Sequence, residues 1–442
     1  MVTPAGQATD AGAATRDLNR LAGLLLSPKT GLIRRITMAP LAGGEIPLFY
    51  PLADLPAYER LDGLAAIEAT GGAAPSAADS VARVLFETVE RYCAAFVDYA
   101  CLVRSQPVSD DFLHGPDFPL FADWQYRQPG WPFRPLELHS TIWWDQARSL
   151  FTGRRRLVPS VFVHVPYRAS NADECLGPSV STGAAAGWSW EEACLSGLLE
   201  VCERDAFTIM WMNSLAMPRI AVRPDSLLGR ELERLLAGTG ARISFVNLTN
   251  NLRIPTVLAV LRHRCLGQPI VTVGAAARMR FQDACRKAFA EAANGYARVV
   301  SELDAHGPWR PAAGFVDVTD FARHSLVYTV PEHQPALDFM LASPVEQPIE
   351  QLESDTPPDA PGQLRHALAL LRENFQEIVA VDLTTQEFAS LGLHAVKVVI
   401  PEAVPLHPDH RYPWLGHRRL HEVPRVLGYE SGKINQFPHP FS

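Results

Sequence analysis

The chain has 442 residues, of which 47% are hydrophobic and 20% charged, and carries a formal net charge of −8. That length supports a large core with more than one subdomain, and an acidic balance without a basic block argues against nucleic acid or an anionic membrane as partner. Seven cysteines with no Cys-x-x-Cys pair or Cys/His ligand set argue against a disulfide framework or structural zinc.

Residues 1–20 read as a flexible tail that lacks the basic start and apolar run of a signal peptide. No later apolar stretch reaches the roughly 18 residues that a bilayer span needs, so a cytoplasmic chain is expected. From residue 21 one unit of mixed α/β class is expected to run to the end. It divides into a body to about residue 305, a proline-rich segment over 306–365 and a C-terminal unit over 366–442.

The first strong helix is expected in SVARVLFETVERYCAAFVDYA (80–100), which carries Glu87, Glu90 and Arg91. A second is expected in WEEACLSGLLEVCERDAF (190–207), with Glu192, Glu200, Glu203 and Arg204. At about 100° per residue, Glu192 and Glu203 fall within roughly 20° of each other and Glu200 about 80° away, so three carboxylates line one side of one helix. Ala193, Cys194, Leu198, Leu199, Val201, Cys202 and Phe207 cover nearly all the rest, a pattern that buries a helix rather than laying it on a surface. Buried carboxylates protonate, pair with cations or coordinate metal. Two such helices with two obvious arginines leave surplus negative charge, which Mg2+ holding a nucleotide's phosphates would neutralise. Simple i,i+4 Glu–Arg pairing is the competing explanation, and the apolar surroundings speak against it.

Further along, ARISFVNLT (241–249), IPTVLAVLRH (254–263) and QPIVTVGAAA (268–277) read as strands, the last leading into a helix with Glu291. Pro308, Pro331, Pro344, Pro348 and Pro357 exclude long regular elements from the next segment, although LDFMLA (337–342) reads as helical. The helix GQLRHALALLRENF (362–375) then precedes the strands EIVAVDL (377–383) and HAVKVVIPE (394–402). Cys93, Cys194, Cys202 and Cys285 fall in helices as small core residues. His407, His410, His417, His421 and His439 lack a paired ligand helix and read as solvated or tail-packing side chains. Neither a Walker A loop nor a Gly-x-Ser-x-Gly elbow is present, so a nucleotide must be held in another way.

The stretches GGAAPSAADSVARVLFETVERY (71–92), STGAAAGWSWEEACLSGLLEVCERDAF (181–207) and FQDACRKAFAEAANGYAR (281–298) together resemble the ordered motifs of the YcaO superfamily. The C-terminal third, with LGHRRLHEVP and a terminal NQFPHPFS, is similar to the azoline-forming branch, and the likeness covers nearly all of residues 24–442. It implies a YcaO-like fold with a carboxylate-lined ATP site between helices and mixed sheets. It also implies an ATP-dependent cyclodehydratase subunit that turns Cys, Ser or Thr of a ribosomal precursor peptide into thiazoline or oxazoline by phosphorylating the amide oxygen.

The implied cofactors are ATP and Mg2+, with Glu87, Glu90, Glu192, Glu200, Glu203 and Glu291 as metal ligands. Arg83, Arg91, Arg204, Asn294 and Arg298 are implied to join them around the nucleotide. Pro438, Pro440 and Ser442 are implied to approach the active site, where the terminal carboxylate orients substrate or accepts a proton. Ala73, Arg83, Trp188, Asn294 and Ser442 depart from the family's usual Lys, Ser, Asn, Gln and Pro. Arg83 is expected to pair with Glu87 or to touch a phosphate, and Trp188 to close its helix or stack on adenine. The implied partners are the precursor peptide, a separate leader-binding protein and, in a homodimer, a second copy of the chain. Two other readings stay open: a degenerate binding or scaffold subunit of a peptide-modifying complex, and an ATP-dependent thioamide-forming enzyme, against which the proline-containing tail argues.

Overall fold

The computed structural model describes residues 18–38, 46–56, 71–265, 268–430 and 433–441. Strands β1 (Arg35–Met38) and β2 (Pro51–Asp54) form an antiparallel ribbon. Helix α1 (Ala77–Ala95) starts at Ser76, whose hydroxyl accepts from Asp79 N at 3.1 Å. Strands β3 (Val103–Ser105), β4 (Ile142–Ser149), β5 (Arg155–Pro159) and β6 (Ala184–Gly187) lead to α2 (Trp190–Met212), capped in the same way by Ser189. Next come β7 (Arg219–Ala221), α3 (Leu227–Leu236), β8 (Arg242–Asn247), β9 (Thr256–Cys265), β10 (Gln268–Ala277) and α4 (Phe281–His306). Past β11 (Glu346–Pro348) follow α5 (Ala360–Leu371), β12 (Val379–Asp382), β13 (His394–Val399) and α6 (Arg419–Val426).

Two sheets dominate. One has the order β3-β4-β12-β13-β6, with β5 also paired to β4; the other has the order β10-β9-β8-β7-β11, antiparallel except for β11 against β7. Helix α2 lies between them, packed on β6 and β13 of the first and on β9 and β10 of the second. A helix covered from both sides has to be apolar all round, and this accounts for its sequence. Helix α1 covers β6 and β13 from the opposite face. Period-two alternation along β13 therefore sends Ala395 and Val399 into the core under α1, and Val396 and Val398 into the core under α2. Lys397 belongs to the α1 side of that alternation. Helix α4 lies on β9 and β10. It comes close because Gly274 has no side chain: a Cβ there would meet Ala292 N at 2.3 Å.

The strands expected at 241–249, 254–263, 268–277, 377–383 and 394–402 are β8, β9, β10, β12 and β13, and the four expected long helices are α1, α2, α4 and α5. LDFMLA is instead the end of a 3-10 run, Pro331–Leu341, in which Pro335 has no N–H to give an α-helical ladder. Residues 1–17 of the expected tail lie outside the described residues, and residues 18–20 open a helical turn rather than a tail. The C-terminal residues are woven into the body, since β12 and β13 sit between β4 and β6. His407, His417 and His439 are buried rather than solvated, and so are Cys93, Cys194, Cys202 and Cys285. Among the described residues no helix is long and apolar enough to cross a membrane.

Candidate nucleotide and metal site

Each of the first two long helices brings its glutamates to the site by the same local device. On α1, Glu87 Oε2 accepts from Gly71 N at 3.1 Å, and Arg91 lies 3.6 Å from Glu87 and 3.8 Å from Glu90. On α2, Glu200 Oε2 accepts from Gly183 N at 3.3 Å, and Arg204 lies 3.5 Å from Glu200 and 2.9 Å from Glu203. Glu203 also accepts from Ala277 N at 3.2 Å, which ties α2 to the end of β10. From α4 comes Glu291, 3.8 Å from Lys287 Nζ.

These five carboxylates share one electrostatic field. Glu87 feels Glu291, Glu90 feels Glu200 and Glu87, and Glu203 feels Glu200 and Glu291. Burial pushes all three up, Glu90 to about 8, against the opposing pull of Arg91 on Glu87 and Glu90 and of Arg204 on Glu203. Burial likewise lowers Lys397 to about 8, although Glu200 and Glu90 pull it back up. Arg278 is also lowered by burial, beside Glu203. The site therefore holds more carboxylate than its own cations keep ionised.

That donor set suits Mg2+, a hard cation that takes oxygen ligands. Among the described residues no three His, Cys, Asp or Glu side chains are gathered tightly enough to cage an ion on their own. Mg2+ ordinarily takes only one or two carboxylates and completes its shell with phosphate oxygens and water, so the residues fit an ion shared with a nucleotide.

The other expected residues divide. Glu192 is exposed and caps α2, its Oε2 accepting from Trp188 N at 3.0 Å while Ser189 Oγ accepts from Glu192 N at 3.2 Å. It shares a face with Glu203, but eleven residues of rise put the two roughly 16 Å apart along the axis. With Trp188, Phe86 and Arg278 it lines a cavity beside the cluster. Arg83 does not turn to Glu87: its Nη1 donates to Ala73 O at 2.5 Å and pins the turn that follows Gly71. Trp188 packs edge-on against Phe86 at 5.5 Å, which closes the start of α2. Asn294 and Arg298 follow Glu291 by one and two turns; Arg298 is exposed, and among the described residues it makes no ion pair with the carboxylates.

The C-terminal residues run inward. Pro438 and Pro440 are buried, Pro438 O accepts from the Tyr328 hydroxyl, and Phe441 lays its ring 4.1 Å from the Arg204 guanidinium carbon. Ser442 lies outside the described residues.

Three groups escaped the sequence reading. Lys397, 2% exposed, donates to Val180 O at 2.5 Å and stands among Glu90 and Glu200; its one signal was a lone cation inside an apolar strand. Arg278 directly follows β10. Asp205 forms a bidentate pair with Arg419 at 2.8 and 2.7 Å and accepts from Val404 N at 3.0 Å, which fixes α2 just beyond Glu203 to α6.

A family model described as YcaO cyclodehydratase, ATP- and Mg2+-binding, matches residues 71–404. The fold is similar to that of a heterocyclase solved in complex with substrate and cofactor, with a TM-score of 0.78 and 20% identity over 97% of this chain and 57% of that one. It is also similar to the heterocyclase TruD, with a TM-score of 0.65 and 22% identity over 82% of this chain and 50% of that one. A YcaO protein from Methanopyrus kandleri bound with AMPPCP and Mg2+ gives a TM-score of 0.64 and 18% identity over 89% of this chain and 90% of that one. This chain spans about half the length of the two heterocyclase chains. With the glutamates of α1, α2 and α4 all inside the matched span, the chain belongs to the YcaO family of ATP- and Mg2+-binding cyclodehydratases.

Proposed function

We propose that this chain is an ATP-dependent cyclodehydratase subunit that converts Cys, Ser or Thr of a ribosomal precursor peptide into thiazoline or oxazoline. The observation that carries the reading is the convergence of Glu87, Glu90, Glu200, Glu203 and Glu291 from three helices, with Arg91, Arg204 and Lys397 among them. Bound ATP with Mg2+ supplies the phosphoryl group taken by the amide oxygen once the neighbouring thiol or hydroxyl has attacked the amide carbon, and phosphate leaves as the ring dehydrates. The protein's part is positioning and charge stabilisation. Glu87, Glu90, Glu200, Glu203 and Glu291 hold the cations, with Glu192 at the rim; Arg91 and Arg204 stand where phosphate oxygens need neutralising. Asn294 and Arg298 extend the α4 side of the nucleotide, and Arg83 shapes the turn against it. Burial of Glu203 and partial burial of Glu87, Glu90 and Glu200 limit the competition from water, so that these charges count for more than they would at the surface. Pro438 and Pro440 thread the described end of the chain inward as far as Phe441 beside Arg204, and the chain's terminal carboxylate orients substrate or accepts a proton. A separate leader-binding protein presents the precursor, and two copies of the chain form the working dimer.

The test is incubation of the protein with ATP, Mg2+ and a precursor peptide, alone and with the leader-binding protein. Mass spectrometry should show one loss of water per ring, faster with the partner present. Tight ATP binding with no loss of water under any of these conditions would favour the scaffold reading instead.

A further inference from the structure

The cavity beside Trp188 holds about 350 Å3, inside the roughly 300–1,000 Å3 range of small-molecule sites. One of its walls is a single stripe of α2. Glu192, Leu195, Ser196 and Leu199 line it, at the three- and four-residue spacing that keeps side chains on one helix face, and Glu203 is next in the series. From Glu192 to Leu199 the stripe rises about 10 Å. The cavity thus runs along α2 toward the carboxylate cluster and stops one turn short of Glu203.

Arg278 stands at that end. It follows Ala277, whose N–H donates to Glu203 Oε2 at 3.2 Å, and its side chain lines the cavity. Nη1 donates to Ala277 O at 2.7 Å, whereas Nε and Nη2 have no partner among the described residues and neither is shut off from solvent. The neighbouring arginines are already engaged: Arg91 and Arg204 each lie within 4 Å of two glutamates, and Arg83 donates to Ala73 O. Burial lowers the pKa of Arg278, and the more distant Glu203, Glu291 and Asp283 only partly offset it. A guanidinium drawn out of water with no carboxylate beside it opposes folding until a ligand brings the anion. The free Nε–H and Nη2–H lie on one edge and form the fork that takes two oxygens of a phosphate.

We propose that Arg278 binds the phosphate next to the nucleoside of ATP through this Nε/Nη2 fork, with the nucleoside in the cavity and the outer phosphates carried on to the cations at Glu203 and Glu291. The inference rests on ATP with Mg2+ as cofactor and not on the ring-forming step.

The experiment uses the full chain with Mg2+ and measures affinity for adenosine and AMP by ligand-observed NMR and for ATP by titration calorimetry. The parent chain is expected to prefer AMP to adenosine. Arg278→Gln, which removes the charge and the fork, should weaken AMP and ATP alike by at least about tenfold and leave adenosine within about twofold. Arg278→Lys keeps the charge but not the fork and should lose roughly threefold for both nucleotides; it carries the test if thermal unfolding shows the Gln variant to be disturbed. Equal losses for adenosine and AMP would make Arg278 a wall of the cavity only, and a loss confined to ATP would move the contact to an outer phosphate. No preference for AMP in the parent chain, or an unchanged preference in the variants, would leave Arg278 without a phosphate. Each of these results overturns the assignment. The expected affinities, with no loss of water from precursor peptide in any assay, leave Arg278 in place and sink the cyclodehydratase reading.

Discussion

Glu203 is 2% exposed and held between the Arg204 guanidinium and Ala277 N, so its charge is the one least able to find solvent if a cation leaves. Glu203→Gln keeps the side chain's size and an oxygen for Ala277 N while removing the charge. Affinity for ATP with Mg2+ should fall at least about tenfold, or roughly 1.4 kcal/mol, by titration calorimetry. Unchanged affinity, with circular dichroism intact, would take Glu203 out of the site. This glutamate was legible in the sequence because a carboxylate inside an apolar helix contradicts its surroundings and demands a reason. Lys397 was not legible: in a strand, one lysine reads as an outward-facing residue until the pairing of β13 with β6 and the cover of α1 show that both faces are closed. Asp205 and Arg419 lie 214 positions apart, and no local pattern links them.

The strands β8, β9, β10, β12 and β13 announced themselves through β-branched runs, whereas β4, IWWDQARS, did not, because Asp145 sits buried in it beside His164 at 3.2 Å. The C-terminal segment was legible only as extended; what holds it is a set of histidines. The His439 ring stacks on His324 at 3.7 Å, His439 Nε2 donates to His407 O at 2.9 Å, and His324 Nδ1 donates to His439 O at 3.1 Å. Burial, and then the neighbouring histidines, lowers His324, His407 and His439 well below the ordinary histidine value, with Arg204 adding to the effect on His439 and His410 lowered as well. The unfolded chain takes up these protons near pH 6.5 and the folded chain resists them, so the latch is at full strength above about 6.5 and weakens as pH falls, by up to roughly 1.4 kcal/mol per group per unit. Hydrogen exchange at residues 433–441, corrected for intrinsic rates, should therefore accelerate between pH 7 and pH 5 more than exchange in β9. Equal protection at both pH values would show that the histidines do not latch the segment.

At the scale of the whole molecule, the two sheets and the helix between them form one interdependent body. A chain ending at residue 365 retains β4 and β6 but loses β12 and β13, the strands that join them. Such a fragment should lack a cooperative thermal transition and near-ultraviolet dichroism; a native-like melt would show that the body folds without its last 77 residues (442 − 365). The order of the strands was the part least open to sequence reading, since pairing between segments more than 200 residues apart leaves no periodicity behind.

That order also bears on how the protein is made. β6 ends at Gly187 and its neighbour β13 is complete only at Val399, so 212 residues (399 − 187) must leave the ribosome before the gap is filled. At about 5–20 residues per second this takes roughly 10–40 s. Through that interval β4 and β6 present unpaired edges to every other nascent chain nearby. Slower, cooler expression or a chaperone able to shield those edges should raise the yield of soluble protein, because the hazard lies in the waiting and not in the finished fold.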